Sequence, residues 1–222
     1  MPTADPQLSA RLYRESRDRI VGLVAGLDDA AWHTAVPACP GWSVRDVVAH
    51  VTAVVQEWCD GRLTGAPTDE QTAAQIARFA DHDAIEIIGA WATATGELIE
   101  LAQTRGLVAP VGDIVSHEHD IRGALARPGA RDSAAVRYSS DQLLAMLQTP
   151  VPLRVIVEDG EYRSGPSDGR EWELRTHRFE ALRWRTGRRS RAQLAAMAWS
   201  ADPAPVLDAL YLFGPADTDI VE

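Results

Sequence analysis

The chain has 222 residues, a formal net charge of −10 and 45% hydrophobic residues. This length and apolar content are enough for one large or two small folded domains. The net charge argues against a general nucleic-acid-binding protein, because contacts with phosphates require clustered cations. All 22 basic residues are arginine, which together with the many alanines, glycines and valines indicates a GC-rich genome.

Neither a membrane span nor a secretion signal is visible in the sequence. No apolar run approaches the length of a transmembrane helix, and the first residues lack the apolar segment of a signal peptide. Cys39 and Cys59 are too few for a disulfide framework and lack the spacing of a zinc ribbon. We therefore expect a cytoplasmic protein with reduced thiols.

Helical patterns dominate the first two thirds of the chain. Amphipathic spacing predicts a helix over residues 7–27, and Ser43 is the expected N-cap of a second helix that ends near Cys59. Two more helices are predicted, at about residues 70–104 and from Pro110 to Ala126, and residues 139–148 can add one short further helix. The first part of the chain is therefore expected to be a helical domain.

The pattern changes after Pro150. The run RVIVED predicts a strand followed by a turn, and EWELR predicts a second strand. Shorter helices are predicted at about residues 177–186, 190–198 and 205–212. The sequence thus predicts a mainly α fold with a four-helix domain over residues 1–149 and a small α+β domain over residues 150–222.

Three polar side chains, His50, Asp113 and His117, are set among apolar residues on predicted helices. Asp113 and His117 are four residues apart and so share one helix face. Burying them without partners is costly, and a divalent metal is one partner that would satisfy both. Two histidines and a carboxylate leave one position open for water or substrate, as in catalytic zinc sites, and they also suit non-haem iron.

The same residues also have a purely structural interpretation. A histidine inside a helical domain is commonly a hydrogen-bonded core residue, and Asp113 can cap the helix that begins after Gly112. The spacing alone leaves both interpretations open. Asp120 follows His117 by one turn, where its carboxylate can orient that imidazole, and His119 is expected to be exposed or to form a pocket wall.

Other catalytic chemistry finds less support in the sequence. A nucleophile elbow, a phosphate-binding loop and a dinucleotide fingerprint are all missing from it. Cys39 lies in the loop before the helix of His50, but no base is evident nearby, so we interpret it as a small apolar filler. Trp42 is interpreted as a core residue that packs on Val47 across the start of that helix.

Two segments resemble the signatures of a known family. CPGWSVRDVVAHV resembles the N-terminal motif of the mycothiol-dependent maleylpyruvate isomerase family, in the DinB-like metal-binding four-helix superfamily, and DIVSHEHDIRGAL resembles its second motif. The segments RFEALRWRTGRRSRAQLAAMAWSADP and LYLFGPADTDIVE are similar to its C-terminal part. The resemblance implies a DinB-like four-helix bundle with a small C-terminal α+β domain, and a metal held by His50, Asp113 and His117. The chain departs from the family pattern at Asp113, where glutamate is usual, and at His119, where an aromatic residue is common.

The resemblance also implies chemistry with mycothiol, the low-molecular-weight thiol of actinobacteria. A divalent metal, with zinc expected, would deprotonate the thiol, and the thiolate would attack a small electrophile. The reaction would be an isomerisation or an S-transfer, of which we favour transfer. Asp120 would set the tautomer of a ligand histidine, and Arg183 or Arg188 would bind a substrate carboxylate.

Two other functions are kept as alternatives. One is a metal-dependent hydrolase, in which the metal activates water and Glu57 or Asp120 serves as the base. The other is a binding or regulatory module without catalysis, whose C-terminal part binds a protein. Fold does not fix function, so the sequence leaves both open, together with the oligomeric state.

Overall fold

The computed structural model describes residues 5–222, and helices dominate it. The helices are α1 (Pro6–Val24), α2 (Asp29–Trp32), α3 (Val44–Cys59), α4 (Asp69–Ala77), α5 (Ala84–Thr104), α6 (Val111–Ala124), α7 (Ala134–Ala145), α8 (Arg178–Arg185), α9 (Arg191–Ala195) and α10 (Leu207–Leu210). The strands are β1 (Leu153–Val157), β2 (Gly160–Ser164), β3 (Trp172–Arg175) and β4 (Ala198–Trp199). The predicted mainly α fold with a small α+β part is confirmed. Among the described helices, none combines the length and the apolar content that crossing a bilayer requires.

The chain folds as two compact units, one reaching to Pro128 and the other beginning at Gly129. α7 belongs to the second unit, because it packs against α8. The predicted first domain, residues 1–149, includes α7, and its residues 1–4 lie outside the described part of the chain. A domain boundary between residues 149 and 150 stays a prediction from the change of sequence pattern. In the structure the two compact units divide before α7.

Four helices of the first unit, α1, α3, α5 and α6, pack together as a bundle. α3 packs against α5, α1 packs against α5 and α6, and α3 also contacts α6. Their facing sides bury large apolar side chains: Tyr13, Ile20, Val47, Trp91, Leu98, Ile114 and Ile121. Burial of apolar surface is the main favourable contribution to folding, so this core holds α3 and α6 beside each other.

The single helix predicted over residues 70–104 is in fact two helices. α4 and α5 each begin at a capping box, formed by Thr68 with Gln71 and by Asp83 with Glu86. In the second box the Asp83 carboxylate accepts a hydrogen bond from the backbone N–H of Glu86 and so starts a new helix. The prediction was wrong because the polar residues of a capping box also fit the exposed face of a continuous helix.

α6 is buried on almost every side, although its sequence is polar. Its buried residues are Val111, Ile114, Val115, Ser116, His117, Glu118, His119, Asp120 and Ile121. Of the two places expected for His119, exposure was wrong, because this residue is only 2% exposed, and a place in a pocket wall stays a prediction. α6 is therefore an interior helix, and its polar side chains need partners inside the protein.

The Glu118 carboxylate connects α6 to α1. Arg19 donates from Nε to Oε1 at 2.8 Å and from Nη2 to Oε2 at 2.7 Å, which is a two-point ion pair. Arg122, one turn further along α6, donates to Oε1 at 3.1 Å. Because the Glu118 side chain is fully buried, these charge-assisted hydrogen bonds fix how α6 is rotated against α1.

The second unit contains a four-stranded sheet with the strand order β2-β1-β3-β4. β1 pairs antiparallel with β2 and parallel with β3, and β4 pairs antiparallel with β3. The predicted strands RVIVED and EWELR correspond to β1 and β3, whereas β2 and β4 were not predicted. The core of this unit joins sheet and helices through these buried residues: Leu144, Val155, Leu174, Trp184, Leu194 and Leu210.

The role of the ion pair between α1 and α6 can be tested with Glu118→Gln, which keeps the side-chain shape and removes the charge. We expect the free energy of unfolding to fall by about 3 kcal/mol, the usual cost of removing one partner of a buried pair. Urea denaturation followed by circular dichroism measures this loss. Glu100→Gln, on the exposed side of α5, is the control, and an equal loss in both variants would contradict the assignment.

Candidate metal centre

Two helices of the first unit supply the three candidate ligands. α3 begins at the predicted cap, where Ser43 and Asp46 form a capping box, and it carries His50 into the bundle. α6 carries Asp113 in its first turn and His117 one turn later. Because α3 packs against α6, the three side chains predicted from the sequence lie together in the structure.

A single carboxylate oxygen lies between the two imidazoles. Nε2 of His50 is 3.7 Å from Oδ1 of Asp113, and Nε2 of His117 is 3.8 Å from the same oxygen. These distances exceed the range of an N–H···O hydrogen bond. Ligand atoms around a tetrahedral ion with bonds of about 2.1 Å lie about 3.4 Å apart, so the spacing is close to that of ligands sharing one ion.

The protonation of His117 gives a stronger test of whether a cation fits. Its Nδ1 lies 3.0 Å from Oδ2 of Asp120, and a carboxylate only accepts hydrogen bonds, so Nδ1 carries a proton. Burial lowers the pKa of His117 below its ordinary value of 6.5, an effect that outweighs the attraction of the Asp120 and Asp113 carboxylates. The neutral ring therefore turns the lone pair of Nε2 towards Oδ1 of Asp113. Two acceptors facing each other are what a shared cation would bind, so the residues fit a metal ion.

The chain's aspartate reaches the site in place of the longer glutamate of the family pattern. Oδ1 of Asp113 is almost equally distant from the Nε2 atoms of His50 and His117. The side chain of Asp113 is 23% exposed, compared with 4% for His50 and 8% for His117. The carboxylate is therefore the most accessible part of this set, and a small molecule would approach from its side.

The His50 imidazole is less firmly held than that of His117. Its Nδ1 is buried and has no hydrogen-bond partner within residues 5–222. Leaving a buried polar atom without a partner costs about 1–3 kcal/mol. Unsatisfied groups of this kind are uncommon in folded proteins and call for an explanation, of which a functional role is one.

Trp42 packs against both imidazoles. Its ring centroid is 5.0 Å from that of His50 and 6.1 Å from that of His117, and its plane is inclined by 21° to His117. Sequence reasoning assigned Trp42 to the core and missed this contact. The signal available in the sequence was the position of Trp42 directly before the helix of His50. In the structure Gly41 precedes it with a φ of +83°, which favours glycine.

Cys39 lies on the Nδ1 side of His117, whereas Asp113 lies on the Nε2 side. Its Sγ is 3.3 Å from Oδ2 of Asp120 and 3.9 Å from Nδ1 of His117. The interpretation of Cys39 as an apolar filler was wrong, because its polar partners come from α6, far away in sequence. Cys39, His117 and Asp120 also form a second group with the composition and spacing of a metal site.

The two acidic residues considered as bases have other partners. Asp120 is 1% exposed and accepts hydrogen bonds from His117 and Cys39, a geometry suited to the predicted role of orienting His117. Glu57 lies two turns beyond His50 on α3, where its carboxylate accepts from Gln75 at 2.6 Å and forms an ion pair with Arg78. Glu57 is thus engaged away from the three candidate ligands.

The two predicted substrate-binding arginines belong to the second unit. Arg183 is fully buried and forms a two-point ion pair with the Glu222 side chain, with 3.0 Å between Nε and Oε2. Arg188 donates from Nη1 to the backbone oxygen of Thr186 at 2.5 Å. Arg183 therefore already binds one carboxylate, and a role of either arginine in binding a substrate carboxylate stays a prediction.

Comparison with known proteins identifies a family for more than half of the chain. Residues 13–157 match the sequence model of a family described as mycothiol maleylpyruvate isomerase N-terminal domain. Two similar solved structures are crystal structures of the mycothiol-dependent maleylpyruvate isomerase and of a variant with one histidine replaced by alanine. Each has a TM-score of 0.58 and 12% sequence identity, and the match covers 90% of this chain and 94% of that chain. At this identity the likeness is one of fold, and a search of curated proteins finds no significant match.

The lowered pKa of His117 predicts how stability depends on pH in protein stripped of metal. Below pH 6.5 the unfolded chain takes up the proton before the folded protein does, so the free energy of unfolding falls as the pH decreases. We expect His117→Gln to lose less stability than the wild type between about pH 7 and pH 5. Urea denaturation with a chelator present measures this difference.

His33→Gln is the matched control, because the His33 side chain is 58% exposed. This variant should follow the pH dependence of the wild type. If His117→Gln also follows it, burial of a neutral His117 is contradicted.

Proposed function

This chain belongs to the mycothiol maleylpyruvate isomerase family, and we propose that it is a mycothiol-using isomerase with a divalent metal bound by His50, Asp113 and His117. As a member of this family it is an enzyme. Its proposed substrate is a small unsaturated oxo acid of the kind that the names of its relatives give. We expect zinc as the metal and the cytoplasm as the location, as the sequence predicts.

One observation carries the metal part of this proposal. Nε2 of His117 lies 3.8 Å from Oδ1 of Asp113, and Nε2 of His50 lies 3.7 Å from the same oxygen. Two imidazoles and one carboxylate are a donor set that binds zinc and leaves a coordination position open. A divalent cation bound there would lower the pKa of a thiol, so that the thiol is a thiolate at neutral pH.

The other side chains of the site hold the ligands in place. Asp120 accepts a hydrogen bond from Nδ1–H of His117 and so keeps Nε2 available. Trp42 covers the face of the His117 ring, which limits both water and rotation of the imidazole. Asp113, the most exposed of the three ligands, marks the side where thiol and substrate would enter.

Thiolate chemistry accounts for an isomerisation without net consumption of thiol. The thiolate adds to one carbon of the substrate's double bond, and the electron pair moves to the conjugated carbonyl oxygen. The former double bond is now single and rotates. When the carbonyl re-forms, the electron pair returns and expels the same thiolate, which leaves the double bond in its other geometry.

Isomerisation replaces the S-transfer that sequence reasoning favoured, because the family and both similar structures carry the name of an isomerase. The hydrolase alternative gains no support, since Glu57 is paired with Arg78 and Asp120 is occupied by His117. The non-catalytic alternative is set aside because the family is one of enzymes.

The metal site is tested by the metal content of the purified protein and of two variants. We expect close to one zinc ion per chain in the wild type and a large loss in His50→Ala and His117→Ala, because each removes one of three ligands. Inductively coupled plasma mass spectrometry after dialysis measures the content. His33→Ala, which changes an exposed histidine, should retain the ion. Folded wild-type protein that neither contains nor takes up zinc, cobalt or iron would refute the metal site.

The proposed reaction is tested with maleylpyruvate and less mycothiol than substrate. We expect each mycothiol molecule to support many conversions and to be recovered unchanged, as the addition and expulsion of a thiolate require. Chromatography of substrate, product and thiol measures both quantities. A stable conjugate formed in proportion to the thiol would instead show S-transfer, and turnover without any thiol would show a different reaction. The metal-free protein is the control.

A further inference from the structure

His117 has two chemically different sides. Its Nε2 faces Asp113 and His50, and its Nδ1 faces Asp120 at hydrogen-bond distance. The Nδ1 side is the one on which Cys39 lies. A group that holds Asp120 in place therefore bears on which nitrogen of His117 carries the proton.

The Cys39 thiol contributes to this arrangement by donating to Asp120. Its Sγ lies 3.3 Å from Oδ2, the same oxygen that accepts a hydrogen bond from Nδ1–H of His117. A carboxylate oxygen accepts two hydrogen bonds, and an S–H group is a weak donor. Because Nδ1 carries a proton directed at Asp120, the thiol at 3.9 Å from Nδ1 has its acceptor in Asp120 and not in His117.

A tight turn keeps Cys39 in this position. Cys39 donates its backbone N–H to Val36 O at 2.9 Å and accepts from Trp42 N at 3.0 Å, and Trp42 O accepts from Val36 N at 2.8 Å. Gly41 allows the turn through its positive φ. One short segment thus places a thiol beside the Nδ1 side of His117 and an aromatic ring against its face.

From this geometry we propose that Cys39 is a positioning residue: its thiol fixes the Asp120 carboxylate, which keeps the His117 proton on Nδ1 and leaves Nε2 for the metal. The consequence for metal binding rests on the proposed metal site, but the effect on the His117 tautomer does not. Cys39 is not a metal ligand here, because an ion between Cys39, Asp120 and His117 would have to replace the Nδ1 proton that is hydrogen-bonded to Asp120.

Three variants separate this role from general packing. Cys39→Ala removes the donor, Cys39→Ser keeps a donor of similar size, and Cys59→Ala changes the other cysteine, whose Sγ lies 3.9 Å from the backbone oxygen of Ala94. Thermal unfolding verifies that each variant is folded. We expect Cys39→Ala to bind zinc about tenfold more weakly, the lower end of the usual effect of losing a group that supports a metal ligand. Cys39→Ser and Cys59→Ala should stay close to the wild type in competition with a chromogenic chelator.

Two spectroscopic measurements, on the wild type and on the Cys39 variants, also test the proposal. Long-range ¹H–¹⁵N spectra of the metal-free protein should show the His117 proton on Nδ1, and Cys39→Ala should show a mixture of tautomers. The cobalt-substituted protein should lack a thiolate-to-metal charge-transfer band. A proton on Nε2 in the wild type, a cobalt–thiolate band that Cys39→Ser abolishes, or unchanged zinc affinity and tautomer in Cys39→Ala would overturn the proposal. Wild-type protein that binds no metal but shows the expected tautomers would refute the metal site and leave the positioning role intact.

Discussion

The burial of a polar helix is the constraint on which the first unit depends. Four consecutive residues of α6, from His117 to Asp120, are each at most 6% exposed. Such groups cannot be buried without partners, so the surrounding elements must supply them. α1 supplies Arg19 to Glu118, and the turn before α3 supplies Cys39 to Asp120. The arrangement of the helices is thus set by polar pairing as well as by apolar packing.

The ion pair and the candidate ligands act on different sides of the same helix. Glu118 points towards Arg19 on α1, whereas the neighbouring His117 points towards His50 on α3. Successive residues on a helix are about 100° apart, so fixing the direction of Glu118 also fixes that of His117. The Arg19–Glu118 salt bridge does not touch the three candidate ligands, yet it helps to define their geometry. Preorganisation of this kind is what a metal site requires.

The sequence predicted those parts of the site that local spacing determines. Four-residue spacing put Asp113 and His117 on one helix face, and the cap at Ser43 located the helix of His50. Contacts between distant residues had no local signal, and so no base was evident near Cys39 and it was interpreted as an apolar filler. The burial of His119 was missed for another reason: helical periodicity assumes one solvent-facing side, and α6 has almost none.

The difference between local sequence patterns and contacts of distant residues also explains the errors in the predicted fold. β1 and β3 alternate or carry branched residues, which sequence patterns detect, whereas β4 has two residues and forms only because β3 lies beside it. Asp83 splits a predicted helix because its side chain caps a new one, a choice that depends on where the chain has to turn.

The turn that carries Cys39 and Trp42 shows how a site can be changed without altering its ligands. Both side chains contact His117 or its acceptor, yet neither is among the three candidate ligands. Groups of this type tune a metal site through the orientation of the imidazole and through the polarity beside it. The backbone hydrogen bonds of the short turn before α3 hold both side chains, the thiol against Asp120 and the indole against the His117 ring.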